Sequence, residues 1–469
     1  MKTSLAGILI PAALAVLGLG LLAAWANTVP AVRLETRLAG LDGAAREMPG
    51  KAAVRPVPGE PVRFDGRPSQ ITAQWPWFRG LDGDAIGKEP VRLARSWSPS
   101  GPKRLWMISL GEGYAAAAVR AGCVYVLDHL GDADVVRCFS LDDGREIWRN
   151  RYPVVVSFSH GMSRTIPALV GDCVLSLGPL CHVACWDAGT GKSRWLIDLV
   201  ADHGATVPPW YAGQCPLVDT QTDRLILAPG GKALVMAVDY RSGKVLWESP
   251  NPRHWTMTHV SIVPMEFAGR RMYVYCGKGG VAGVDATNGE LLWDTTDWQV
   301  GVATCPSPVV VGDGRIFFCG GYNAGSLMLQ LRQEGGRIMP HTLLRLSAKQ
   351  FSSEQQTPVF WQGHLYGVRQ KDKQLVCLDL EGRELWNSGS DKFGEQGGAP
   401  YMIADGMIYA MTDAGMLRLV EATPERYQRL AEAQVLEQGT DSWGPMALVA
   451  GRLIARDFTR MVCLDVAEH

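Results

Sequence analysis

From about residue 71 onward, short apolar runs alternate with polar turns, the pattern of strands and hairpins rather than of helices. The clearest unit is residues 237–247. Ala237 and Val238 suit a pleated, half-buried surface. Asp239 to Gly243 makes a polar turn that closes on glycine, the residue at ease with positive φ. Val245, Leu246 and Trp247 begin the next strand. Runs at 124–127, 272–275, 315–318 and 407–410 read as further strands. The pairs Gly171-Asp172, Asp313-Gly314 and Asp405-Gly406 are hairpin signals. Pro167, Pro216, Pro264, Pro308, Pro358, Pro400 and Pro445 each stand near the start of another short apolar run. Proline cannot donate to a ladder, so these runs are edge strands.

The unit recurs. Asp187, Gly191 and Trp195 keep its spacing, as do Asp285, Gly289 and Trp293. Ser140, Gly144 and Trp148 match with serine in the aspartate slot, and Asp379, Gly382 and Trp386 match with a turn one residue shorter. Degenerate copies lie near Gly335–Met339 and across Glu421, Glu425 and Arg429. With Trp106 the tryptophan slots recur every 42–52 residues or so, the length of one four-stranded propeller blade. Eight slots predict an all-β, eight-bladed β-propeller of four-stranded antiparallel blades. The chain finishes on 461–466, a strand with no turn or tryptophan after it, and the missing half stands at 104–110. One blade is therefore expected to join both ends of the ring, which leaves no open sheet edge.

The Ala-x-Asp-x-x-x-Gly-x-x-x-Trp unit resembles the tryptophan-docking repeat of the pyrroloquinoline-quinone (PQQ) propeller superfamily. That superfamily includes quinoprotein alcohol dehydrogenases and the assembly lipoprotein BamB. The resemblance covers about residues 71–469 and implies the fold, while one fold hosts both redox enzymes and binding scaffolds. It also implies that Trp106, Trp148, Trp195, Trp247, Trp293 and Trp386 dock neighbouring blades. The segment 75–80, Trp-Pro-Trp-Phe-Arg-Gly, is similar to the lead-in of planctomycete-type PQQ-like propellers.

Three regions are expected. Residues 1–26 carry Lys2 and then no charge from Ser4 to Ala26. This suits a signal peptide, with Ala24-Trp25-Ala26 as cleavage site, and equally a retained transmembrane anchor. The first cysteine is Cys123, so a lipid-modified N-terminus like that of BamB is not expected. Residues 27–70, punctuated by Pro49, Pro56, Pro58, Pro61 and Pro68, read as a tether. Residues 71–469 form the propeller, with 71–103 as a lead-in packed on its rim. Either reading of the N-terminus places the propeller on the periplasmic or cell-surface side. A net charge of −1 gives no case for nucleic acid, and a monomer is expected.

The eleven cysteines form no Cys-x-x-Cys motif. Cys138, Cys185, Cys377 and Cys463 fall two residues before the aspartate slot, where other blades have Ala237 or Gly283. A small buried side chain is what the place requires. Candidate chemistry sits just before the inner-strand prolines, where a closed ring gathers residues distant in sequence. His160, Arg164, Tyr211, Gln214, His259, Gln355, Gln356 and Trp443 stand there. They are expected to line one channel mouth and to bind a small polar or anionic ligand, with no metal or cofactor. The function expected is an extracytoplasmic binding or scaffold module for that ligand or for a protein partner. The alternative, implied by the resemblance, is a PQQ- and calcium-dependent alcohol or sugar dehydrogenase. Arg164, Glu354, Glu395, Asp441 and Trp443 could be cast in its roles, although none falls on a dehydrogenase motif.

Overall fold

The structure, a computed structural model, describes residues 6–28, 55–156, 162–395, 398–437, 439 and 441–469. The chain divides at residue 44 into two units. The first contains a helix, Ala6–Thr28. Its described side chains, at Leu9 and 13–25, are exposed and apolar or small. No helix among the described residues is long and apolar enough to cross a membrane.

In the second unit the described residues form eight sheets, each with a core of four antiparallel strands that are consecutive in sequence in all but the last. Blade 3 is typical, with Leu217–Asp219 innermost, then Arg224–Leu227, Ala233–Val238 and Val245–Pro250. Blades 1 to 7 occupy 118–153, 168–198, 217–250, 263–295, 309–346, 359–387 and 401–434. Blade 8 takes three strands from 447–465, and its outermost strand is Lys103–Ser109. That strand pairs antiparallel with Arg460–Asp465, Lys103 opposite Asp465 and Ser109 opposite Arg460. The inner strand of blade 8, Ala447–Val449, lies beside that of blade 1, Ala118–Arg120. Middle strands are buried on both faces, as in Cys123–His129 and Ala133–Ser140, so they read as continuous apolar runs rather than alternating ones.

The repeat motif explains how blades adhere. Asp239 accepts from the backbone N–H of Arg241 and Ser242 and so closes its turn. The glycine of each turn then passes under the tryptophan of the preceding blade. Gly191 has φ +75°, and a β-carbon there would lie 2.5 Å from the Trp148 ring. The indole N–H reaches a carbonyl of the next blade: Trp106 to Leu141 at 3.0 Å, Trp148 to Ala188 at 2.9 Å, Trp195 to Tyr240 at 3.0 Å and Trp386 to Thr423 at 2.7 Å. Two tryptophans differ. The carbonyl of Ala286, which Trp247 would use, is taken by Arg224, and Trp247 stacks on Tyr273 instead. Trp293 stays in the core shared by blades 4 and 5 but donates to the Met272 sulfur. Blade 5 offers it no aspartate turn, because strands of ten residues, Gly325–Glu334 and Arg337–Leu346, meet in a tight Gly335-Gly336 hairpin. Leu344 and Leu346 then lie against Gly382 where a tryptophan would stand.

Val62–Arg63, in the segment read as a tether, extends the outer edge of blade 1, and the lead-in follows it. It then runs across the inner strands. Trp75 exchanges backbone hydrogen bonds with Val119 of blade 1, and the carbonyl of Pro76 accepts from Leu169 of blade 2. The half-buried Arg79 donates to the carbonyls of Thr357 and Pro358 at blade 6. Ile86–Gly87 pairs in parallel with Ile403–Ala404 of blade 7, and Glu89 accepts from Ala450 of blade 8. Aromatic residues at 75, 77 and 78 pack inward because this path leads beneath the ring rather than around it.

Candidate functional site

The loops that enter the inner strands converge at the end of the channel away from the inner-strand turns that the lead-in crosses. Arg164 is half-buried here, its Nε donating to the Trp210 carbonyl and its guanidinium 5.2 Å above the Tyr114 ring. Tyr114 in turn stacks on Trp443, with centroids 5.1 Å apart. Burial lowers the pKa of Arg164, opposed by Tyr114, Cys305 and Tyr211 beside it. It remains a cation in a low-dielectric setting. The same burial, with Arg164 adding repulsion, pushes His259 down to about 3. Burial likewise raises the Cys305 thiol to about 12. Among the described residues, Arg164 thus contributes a permanent cation to the funnel, His259 a neutral imidazole and Cys305 a protonated thiol. Trp210 and Tyr211 both adopt left-handed backbone, φ 60° and 74°, a strained pair of the kind that collects at binding sites.

Arg164, Tyr211, His259 and Trp443 therefore come together. Gln356 joins them as a brace, since its Nε2 donates to the carbonyls of Gly398 and Trp443 and ties blade 6 to blades 7 and 8. Gln355 accepts from the N–H of Gly398 at 3.4 Å. Gln214 does not face the funnel. Fully buried, it donates to the carbonyl of Ala228 and accepts from its N–H, so both ends of the amide serve the fold of blade 3. His160 lies outside the described residues. Tyr114 and Tyr322 belong to the funnel as well, with Cys305, whose place the inner-strand register indicates.

A feature without a sequence expectation sits at the waist. Side chains at the foot of each loop accept from the backbone N–H of the preceding blade: Cys215 from Ile166, Ser261 from Cys215, Ser307 from Ser261 and Thr357 from Ser307, at 2.8–3.3 Å. Inner strands cannot satisfy these donors from within their own sheet. The belt does so and links blades 2 to 6.

A calcium–quinone centre does not fit the described residues. Glu354 is held by Gln370 and Lys373, and Asp441 faces Tyr114. No three His, Cys, Asp or Glu among the described residues are gathered to hold an ion. One face of Trp443, the candidate floor for a planar ring, is covered by Tyr114.

A family described as outer membrane protein assembly factor BamB matches residues 132–388, more than half of the chain. The chain belongs to that family. Among solved structures this BamB-family propeller is similar to BamB from Moraxella catarrhalis, at 16% identity, with 77% of this chain and 99% of that one covered and a TM-score of 0.53. It is also similar to quinohemoprotein alcohol dehydrogenase from Comamonas testosteroni, at 12% identity, covering 84% and 81% with a TM-score of 0.42. No curated protein sequence matches it.

Proposed function

We propose that this BamB-family propeller is a binding module that works outside the cytoplasm, held at a membrane by its N-terminal segment, and that it takes a small anionic ligand in the funnel around Arg164. The observation that carries this reading is the Arg164 guanidinium, oriented by the Trp210 carbonyl and seated on Tyr114. A fixed, poorly hydrated guanidinium pairs with carboxylate or phosphate better than any other side chain. Tyr114 and Trp443 add an aromatic wall. The name of the matched family, an outer membrane assembly factor, supports a role beyond the cytoplasm. No catalytic step is assigned. The test is mass analysis of small molecules that co-purify with the exported protein, followed by titration of the anion found. Arg164→Ala should weaken that anion by about 1.5–3 kcal/mol, some 10- to 150-fold, with unchanged melting. Full retention of affinity would refute the funnel, and dye-linked alcohol oxidation on adding PQQ and calcium would favour the dehydrogenase reading.

A further inference from the structure

Hydrogen bonds tie the lead-in to blades 6, 7, 8, 1 and 2, which are consecutive around the ring, and among the described residues none ties it to blades 3, 4 and 5. A cavity of about 460 Å³ lies at that place, within the size range of ligand sites, about 300–1,000 Å³. Trp77, Phe78 and Leu81 of the lead-in form one wall, and Pro216, Pro264 and Pro308 at the starts of three inner strands form the other. Each of those inner strands, Leu217–Asp219, Val263–Phe267 and Val309–Gly312, is the last in its sheet. Among the described residues no backbone group pairs with their channel-facing edges. In blades 1, 2 and 7 the equivalent edge is satisfied by the lead-in, through Trp75, Pro76 and Ile86–Gly87.

We infer that this cavity receives a short extended peptide from a partner protein, which completes along blades 3 to 5 the edge pairing that the lead-in makes along the others. Two features select a peptide. Unpaired strand edges offer alternating N–H and C=O groups that a second backbone satisfies in full. Prolines and valines line the walls beside polar groups such as Asp219, Thr220 and Arg271, so alternate apolar side chains of an extended segment enter the former while the intervening ones meet the latter. The site is separate from the Arg164 funnel and does not depend on its ligand.

The test is selection of a random heptapeptide library on the full chain, with affinities then measured by fluorescence anisotropy. The expected peptides carry apolar residues at alternate positions. Their binding should fall at least tenfold on N-methylation of the backbone and in Val263→Trp, which fills the cavity from blade 4, and should persist in Arg164→Ala. If Val263→Trp does not fold, Val310→Trp reads the same cavity from blade 5, and N-methylation needs no variant at all. Failure to enrich any peptide over the filled variant overturns the inference. So does binding indifferent to N-methylation, which would make the cavity an apolar hole without edge recognition, or binding lost with Arg164.

Discussion

Protonating His259 would set a second positive charge beside Arg164 in a setting that solvent only partly reaches. Its folded pKa, about 3, lies well below the ordinary 6.5. The unfolded chain therefore binds the proton first as pH falls. Stability is full above pH 6.5 and declines between 6.5 and 3, at up to about 1.4 kcal/mol per pH unit from this residue alone. His259→Asn should flatten the dependence of melting temperature on pH across that window and leave it unchanged above pH 7. An unaltered slope would mean that the imidazole is solvated. The same residue shows what sequence can and cannot say. Its place before an inner strand was legible from register, whereas its charge was not, because neutrality comes from burial in the closed ring, reinforced by Arg164, 95 positions earlier. Gln214 marks the other limit. Register placed it correctly, but a buried amide that closes on Ala228 looks no different in sequence from one that faces a ligand.

At the scale of the strand, the cysteines of the repeat face the docking tryptophans. Cys138 is opposite Trp148, Cys185 opposite Trp195, Cys377 opposite Trp386 and Cys463 opposite Trp106. Ala237 and Gly283 hold the same place opposite Trp247 and Trp293. All eleven cysteines are free thiols. Thiol titration of the denatured, unreduced protein should return eleven, and Cys377→Ala should cost only about 1 kcal/mol by urea melting. Recovery of a disulfide-linked peptide would contradict this. Strands and turns of this kind are legible because the motif is local, an aspartate, a glycine and a tryptophan within nine residues. Blade 5 was less legible because its motif is gone. Its longer hairpin shifts the docking place to Leu344 and Leu346, past the expected position near 339. The path of the lead-in was illegible, since its aromatics announce burial but not where.

The whole molecule depends on one long-range pairing, Lys103–Ser109 with Arg460–Asp465. Removing residues 460–469 takes away a strand that lies between two others in blade 8 and leaves Trp106 without Cys463. The truncated chain should melt at least roughly 10 °C lower or fail to fold, as a calorimetric scan would show. Equal melting would mean that the other seven blades hold the ring unaided. The joint also sets a clock. Trp106 leaves the ribosome some 357 residues before Cys463, an interval of roughly 20–70 s at 5–20 residues per second. For that time the strand Lys103–Ser109 has no partner anywhere in the nascent chain, so the ring cannot lock until residues 460–465 have been made. A chain built this way keeps its ring open, and its blades free to fold one after another, up to the moment the closing strand arrives.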